Sequence, residues 1–309
     1  MYAPPSQASS KGKQLVNVVV LFVLVIALLV VLTKFHFIHP RDIPGWQGFY
    51  CGVIERAPSR IAIVYGDDGA GDPEKLENLI AHAKPNSAPT RIPLQEISAG
   101  LLKNYDVVFL DRARTITFAQ AAALQSFLDG GGNLVWQADS ASNYAVTPEE
   151  LAEALSLNAS KPGYYEKFLK KVNNTKGFGE LGSLYAGISF VRAETASPNL
   201  VLRVVDSGSL LGSGVGFAPE GSAPGMPREL PLGSMSPGLP YAVVNEKPSG
   251  AVAGSTKVAV LVLGGNQSYP AIIDTKYVSR IVYVAFPLEM ISDKMTGLLN
   301  NVLDYLVAC

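Results

Sequence analysis

Histidine is scarce in this chain. There are three, His36, His39 and His82, and none follows His82. Chemistry carried by later residues must therefore do without imidazole as a proton shuttle. Cysteine is scarcer still, with only Cys51 and Cys309. Two isolated cysteines with all histidines in the first third of the chain do not make a zinc site. Charged side chains are 17% of the sequence and the formal net charge is -1. No basic stripe interrupts this balance, which excludes a nucleic-acid surface. No internal repeat and no dinucleotide or P-loop spacing is present, so no cofactor is expected.

Against these absences stands one long apolar run. Leu15 to Leu32 reads LVNVVVLFVLVIALLVVL, with Asn17 its only polar residue. As a helix it spans about 27 Å, close to the hydrocarbon thickness of a bilayer. A helix on a soluble core would carry polar residues every third or fourth position, and none occurs from Val18 to Leu32. A cleaved secretory signal is the alternative, but Thr33-Lys34-Phe35-His36 follows the run with no small-x-small site. A pilin-type processing site at Lys11-Gly12 is a further one. Lys11 and Lys13 flank one end; Lys34, Phe35, His36, Phe37, His39, Arg41 and Trp46 flank the other. Cations and aromatics thus sit at headgroup depth, and interfacial anchoring outweighs metal binding by His36 and His39. The expectation is a single-pass signal-anchor in a lipid bilayer, with the large domain on the extracytoplasmic side. On that side Cys51 and Cys309 would form a disulfide; the alternative is two unrelated thiols. Glycosylation sequons at Asn158, Asn173 and Asn266 fit an external face, but chance alone gives about two.

The sequence predicts a disordered N-terminus over 1–14, a transmembrane helix over 15–33, a stalk over 34–58 and an α/β domain over 59–309. Ile61–Tyr65 and Asp106–Leu110 are short continuous apolar runs, as buried parallel strands are. Further strands are expected near Arg91–Ile97 and at Asn133–Ala138. Between them lie helix starts: Asp72 with Pro73, and the capping boxes Thr117–Gln120 and Thr147–Glu150. Gly130-Gly131-Gly132 ends the helix that begins at Thr117, and the one from Thr147 is expected to reach about Leu157. Short connections between alternating elements imply a mostly parallel sheet flanked by helices, flavodoxin-like in kind. A β-rich insertion is expected at about 184–255, with strands at Leu184–Val191, Leu200–Val205 and Tyr241–Asn245. It contains a Gly/Ser/Pro-rich tract from Asp206 to about Leu239 without helical period. Strands at Lys257–Leu263, Pro270–Thr275 and Arg280–Phe286 and a helix from about Asp293 to Val307 close the chain.

Three stretches, taken together, resemble the class I glutamine amidotransferase-like superfamily. They are the buried strand Asp106–Asp111, the helix end and strand Phe127-Leu128-Asp129-Gly130-Gly131-Gly132-Asn133-Leu134-Val135, and the segment PAIIDTKYVSRIVYVAFPLE from Pro270 to Glu289. The last is similar to a hairpin of the non-catalytic and trehalose-utilisation-like branches. The resemblance covers about 60–150 and 255–307 and implies the superfamily's α/β fold. It also implies where catalysis would sit. Active members carry a nucleophilic Cys on a sharp turn after the fourth strand, and a His and Glu after the last strand. Here the turn reads Gln137-Ala138-Asp139-Ser140-Ala141-Ser142 and the last strand ends Phe286-Pro287-Leu288-Glu289. The Cys and the His are both missing.

The remaining candidates are weak by chemistry alone. Asp139 and Ser140 stand where a nucleophile would, with Glu289 able to approach from the last strand; the alternative is that they cap turns. Asp67, Asp68 and Asp72 form an acidic, Gly-rich loop that a divalent cation could occupy, though a plain capped turn explains it as well. Arg112 and Arg114 would hold an acidic group or be solvated. Two functions follow. One is a membrane-anchored, catalytically inactive amidotransferase-like domain, an accessory or structural subunit with protein partners in a membrane or cell-surface complex. The resemblance suggests that role, since such domains occur in small non-catalytic subunits of membrane machinery. The other is a hydrolase or carbohydrate-active enzyme using Asp139 and Glu289 in place of Cys and His.

Overall fold

In the computed structural model, the described residues are 8–34, 43, 45–54, 59–206, 208–213, 228–246, 254–263, 267–276, 279–291 and 296–307. The chain divides into two compact units, Met1–Ala57 with Ala308–Cys309, and Pro58–Val307.

The first unit is dominated by helix α1, Ala8–Lys34. Within it Gln14–Thr33 is long and apolar enough to cross a membrane, with a mean hydropathy of 3.4. The helix begins ahead of Leu15, taking in residues expected to be disordered, because Ala8 to Gln14 hold no proline and need only continue an existing helix. A short helix α2, Trp46–Phe49, runs into a wider turn over Tyr50–Ile54.

The second unit is built on a nine-stranded sheet. Its strands are β1 Ile61–Asp68, β2 Thr90–Pro93, β3 Val107–Ala113, β5 Asn133–Gln137, β8 Val201–Val204, β9 Glu229–Leu230, β11 Gly254–Leu263, β12 Gln267–Lys276 and β13 Arg280–Val284. The order is β2-β1-β3-β5-β13-β12-β11-β8-β9. The first five are mutually parallel, and β12, β11, β8 and β9 continue antiparallel. β4 Thr115–Thr117 pairs with β6 Asn143–Ala145, and β7 Ile188–Thr195 with β10 Pro240–Glu246, in two small sheets. Helices α3 Pro73–Ala83, α4 Ala99–Leu102, α5 Phe118–Asp129, α6 Pro148–Ser160, α7 Tyr164–Asn174, α8 Leu210–Ser213, α9 Leu232–Met235 and α10 Thr296–Leu306 complete the unit.

Local chemistry accounts for these elements. Ile61–Val64 and Val107–Leu110 are fully buried, as central parallel strands covered on both faces must be. The Asp72 side chain accepts from the Lys75 amide and Pro73 starts α3. Both capping boxes form, at Thr117/Gln120 and at Thr147/Glu150. A side chain at Gly132 would strike the Phe127 ring at 2.1 Å, so this glycine lets α5 turn directly into β5. Asn133 then links three elements: its amide donates to the Leu306 carbonyl and its oxygen accepts from the Arg280 amide. Trp136, Phe178 and Tyr283 pack edge and face at the centre of the core, with ring centroids 4.5 to 6.1 Å apart.

Two expected strands are corrected. The second strand stops at Pro93 and gives way to a 3-10 turn at Leu94–Glu96, since proline offers no amide to the ladder. Leu181–Ala186 is a wide helical turn, and β7 starts only after Gly187, whose left-handed φ of 67° breaks the chain direction. α7 was not expected, although Tyr165, Phe168, Leu169 and Val172 recur at helical spacing and form its half-buried face. Within the β-rich insertion, β8 and β9 extend the main sheet. Of its Gly/Ser/Pro-rich tract, 207 and 214–227 lie outside the described residues, and the rest holds α8, β9 and α9.

Candidate functional site

β1, β3, β5 and β13 point the same way, so the segments after them meet at one end of the sheet. That is the crevice where open α/β sheets bind ligands. Three non-glycine residues in the described structure have positive φ, and all three lie here: Arg112 at 49°, Ala138 at 49° and Ala141 at 56°. Such strain, on the order of 1–3 kcal/mol per residue, persists only where surrounding contacts over-determine it.

The contacts are visible. The Ala138 amide donates to the Val284 carbonyl at 2.8 Å, and its carbonyl accepts from the Tyr283 hydroxyl at 3.2 Å. The Trp136 indole donates to the Ser140 carbonyl at 2.6 Å, and the Ala141 amide to the Ala113 carbonyl at 2.6 Å. Gln137 accepts from the Leu288 amide at 2.6 Å. The strained first residue of the sharp turn is therefore Ala138, one position before Asp139. A methyl group stands at that strained position. Ser140 is fully buried and its hydroxyl accepts from the Ala113 amide at 3.4 Å.

Four of the candidate carboxylates accept hydrogen bonds from nearby backbone amides. Asp139, 1% exposed, accepts from the Ala70 amide at 3.1 Å and from Arg114 Nε at 2.6 Å. Glu289, fully buried, accepts from the Asp72 amide at 2.9 Å. The Gly-rich loop after β1 thus does bind anions through its backbone amides, but they are the protein's own carboxylates. Asp68 accepts from both the amide and the hydroxyl of Thr115, and Asp72 caps α3. Among the described residues no group of three or more His, Cys, Asp and Glu side chains is arranged to hold a metal.

The residue the sequence did not single out is Asp111. It is fully buried, and neither carboxylate oxygen has a hydrogen-bond partner. The neighbouring Arg112 amide is used by the Ala70 carbonyl. Burial, then the nearby Glu289, push the Asp111 carboxyl up to about 9. Burial likewise raises Glu289, to about 7. One Glu289 oxygen and the Gln137 amide nitrogen are also buried without partners. The charge of Glu289 thus bears on Asp111, and Asp139 has separate partners. The only sign of Asp111 in sequence is an acid ending the buried run VVFL.

Beside the turn lies a cavity of about 310 Å³, lined on one side by Ala70, Arg114, Ala138 and Asp139. Its other wall comes from the small β7–β10 sheet, with Glu194, Thr195, Pro240 and Tyr241. The Ala242 amide donates to the Ala285 carbonyl at 2.7 Å, which holds this sheet over the end of β13. Glu194 accepts from the Tyr241 hydroxyl and from Arg192, and these bonds keep its carboxyl below the usual range. Every carboxylate lining the cavity is thereby already paired.

The other candidate residues lie elsewhere. Asn158 accepts from the Tyr165 amide at 3.2 Å, and Asn173 is exposed on α7. Asn266, His36, His39, Cys309 and the Cys51 side chain lie outside the described residues.

No protein-family model matches the sequence, and no curated protein matches it. Solved structures do match the fold. A ThuA-like protein from Bacteroides uniformis is 14% identical, with 81% of this chain and 92% of that one covered at a TM-score of 0.50. A GMP synthase subunit from Thermoplasma acidophilum is 13% identical over 79% of this chain and 92% of that one, at 0.41. A β-galactosidase from Bacillus circulans is 14% identical over 80% of this chain, at 0.47, and this chain spans only 31% of its length. The chain folds as a mixed sheet with a parallel core flanked by helices, the amidotransferase-like fold of ThuA-like proteins.

Proposed function

We propose that this chain is a membrane-anchored binding or assembly module: an amidotransferase-like domain without the nucleophile chemistry of the fold, serving as an accessory subunit of a membrane or cell-surface complex. The observation that carries the reading is the strained turn after β5, which is built in full around Ala138 and presents a methyl group. The self-satisfied loop after β1 supports it, because the amides that would face a ligand are occupied by Asp139 and Glu289. A preorganised site keeps donors free for the reacting atoms. α1 tethers the domain through a single span, with the domain on the extracytoplasmic side. The test is crosslinking and native-gel analysis of the full chain in its own membranes. A stoichiometric partner is expected, and a lone monomer that crosslinks to nothing sinks the reading.

A carboxylate-based hydrolase is the second reading, favoured by Asp139 at the cavity wall. It requires turnover of a glycoside or amide that Asp139→Asn abolishes while the fold is kept. Because Asp139 is bonded to Arg114, and the raised acids Asp111 and Glu289 are sealed from the cavity, the binding-module reading is preferred.

A further inference from the structure

Trp46–Ile54 reads WQGFYCGVI, and the stretch from Ile43 to Ile54 has no acidic or basic side chain between Asp42 and Glu55. It is helical, as α2 and the wider turn after it. The Trp46 indole donates to Thr33 Oγ1 at 2.9 Å, and both residues are buried. Thr33 is the last residue of the twenty-residue apolar stretch of α1. The chain therefore returns, thirteen residues later, to the level at which α1 leaves its apolar stretch. Trp46 also stacks against Phe49 and Tyr50, at 5.4 and 6.0 Å. Other apolar side chains of the segment face outward: Phe49 is 38% exposed, Val53 50% and Ile54 43%.

We propose that Trp46–Ile54 is a second membrane contact, a foot that lies in the bilayer surface beside the end of α1. Phe49, Val53 and Ile54 enter the acyl-chain boundary, and Trp46 sits at headgroup depth. The inference rests on the reading of α1 as a membrane anchor. The lipid surface is the occupant for two reasons. The Trp46–Thr33 bond sets the depth of the segment, and depth at the end of a spanning helix is where indole and phenol rings partition. The absence of charge over twelve residues also removes the polar rim that a water-exposed protein interface carries. Contact with lipid removes the exposed apolar patch from water.

The test uses the full chain in phosphatidylcholine vesicles brominated at shallow or deep acyl positions. The protein has two tryptophans, and Trp136 is 1% exposed in the core of the α/β unit, out of reach of lipid. Bromolipid should quench one emission component, more with shallow than with deep bromines, and Trp46→Phe should remove it. Val53→Trp on the Trp46→Phe background should restore a component quenched at least twofold. Ile54→Trp in the otherwise native chain should add a quenched component without disturbing the Trp46 contact. Suppose the chain floats with vesicles after alkaline carbonate, yet both new tryptophans ignore bromolipid and respond to aqueous acrylamide. The foot is then wrong and the anchor stands. Release of the chain by carbonate overturns the anchor reading, and the foot with it.

Discussion

The two halves of the main sheet treat buried polar groups differently. In the parallel half, Asp111, Gln137, Asp139, Ser140 and Glu289 cluster at the strand ends. Several of their atoms have no partner, and the backbone beside them is strained. In the antiparallel half the buried polar residues Asp274 and Thr275 sit within β12. One Asp274 oxygen accepts from the Tyr305 hydroxyl at 2.6 Å while the other is buried without a partner. Thr275 donates to the Ala186 carbonyl at 3.3 Å, and no non-glycine residue there has a positive φ among the described residues. The antiparallel half fastens elements together. In the parallel half, Asp139 and Glu289 accept from the loop after β1, while both Asp111 oxygens stay without a partner.

The largest break in that comparison should come from Gly71→Ala. Gly71 has a φ of 141°, and a Cβ there would meet an Asp111 oxygen at 2.0 Å. A loss of about 4 kcal/mol is expected, read as a lower urea midpoint with unchanged slope. Arg114→Ala should cost about 3 kcal/mol, because it leaves the Asp139 carboxylate buried and unpaired. Arg114→Ala with Asp139→Asn should recover most of that loss; if the double variant is no better than the single, the pair is not coupled.

Asp111→Asn tests the buried acid through pH. The folded protein holds the Asp111 proton up to about pH 9, whereas an unfolded aspartate releases it near 4. The native state therefore binds more protons than the unfolded chain across that window, and stability falls as pH rises through it. The native chain should lose stability steadily between pH 5 and pH 9, and Asp111→Asn clearly less. A flat native profile would remove Asp111 from the account. Ala138→Gly should raise stability by about 0.7 kcal/mol, since glycine adopts a φ of 49° without strain. In the antiparallel half, Arg203→Ala removes a half-exposed ion pair to Glu229 and should change stability by at most about 0.5 kcal/mol.

The parallel core was legible because its signals are local. A continuous apolar run, an Asp-Pro helix start and two capping boxes each act within a few residues, and each stands where the sequence put it. The candidate site was half legible. Asp139 and Glu289 were found from their position after strands, and both reach the crevice loop. Their partners Ala70, Asp72 and Arg114, and the importance of Asp111, depend on contacts across tens to hundreds of residues that leave no periodicity to read. α7 was legible as well, since Tyr165, Phe168, Leu169 and Val172 recur at helical spacing, but it was not expected.

The lack of any His after His82 and the apolar span of Gln14–Thr33 were therefore determined by composition and order alone. Which residue occupies the strained turn was decided by tertiary structure. Hydrogen bonds from Tyr283 and to Val284, both on β13, hold Ala138 at its positive φ. Tertiary structure also decided where the buried acids point, because a carboxylate removed from water goes to whichever donor the fold brings near it.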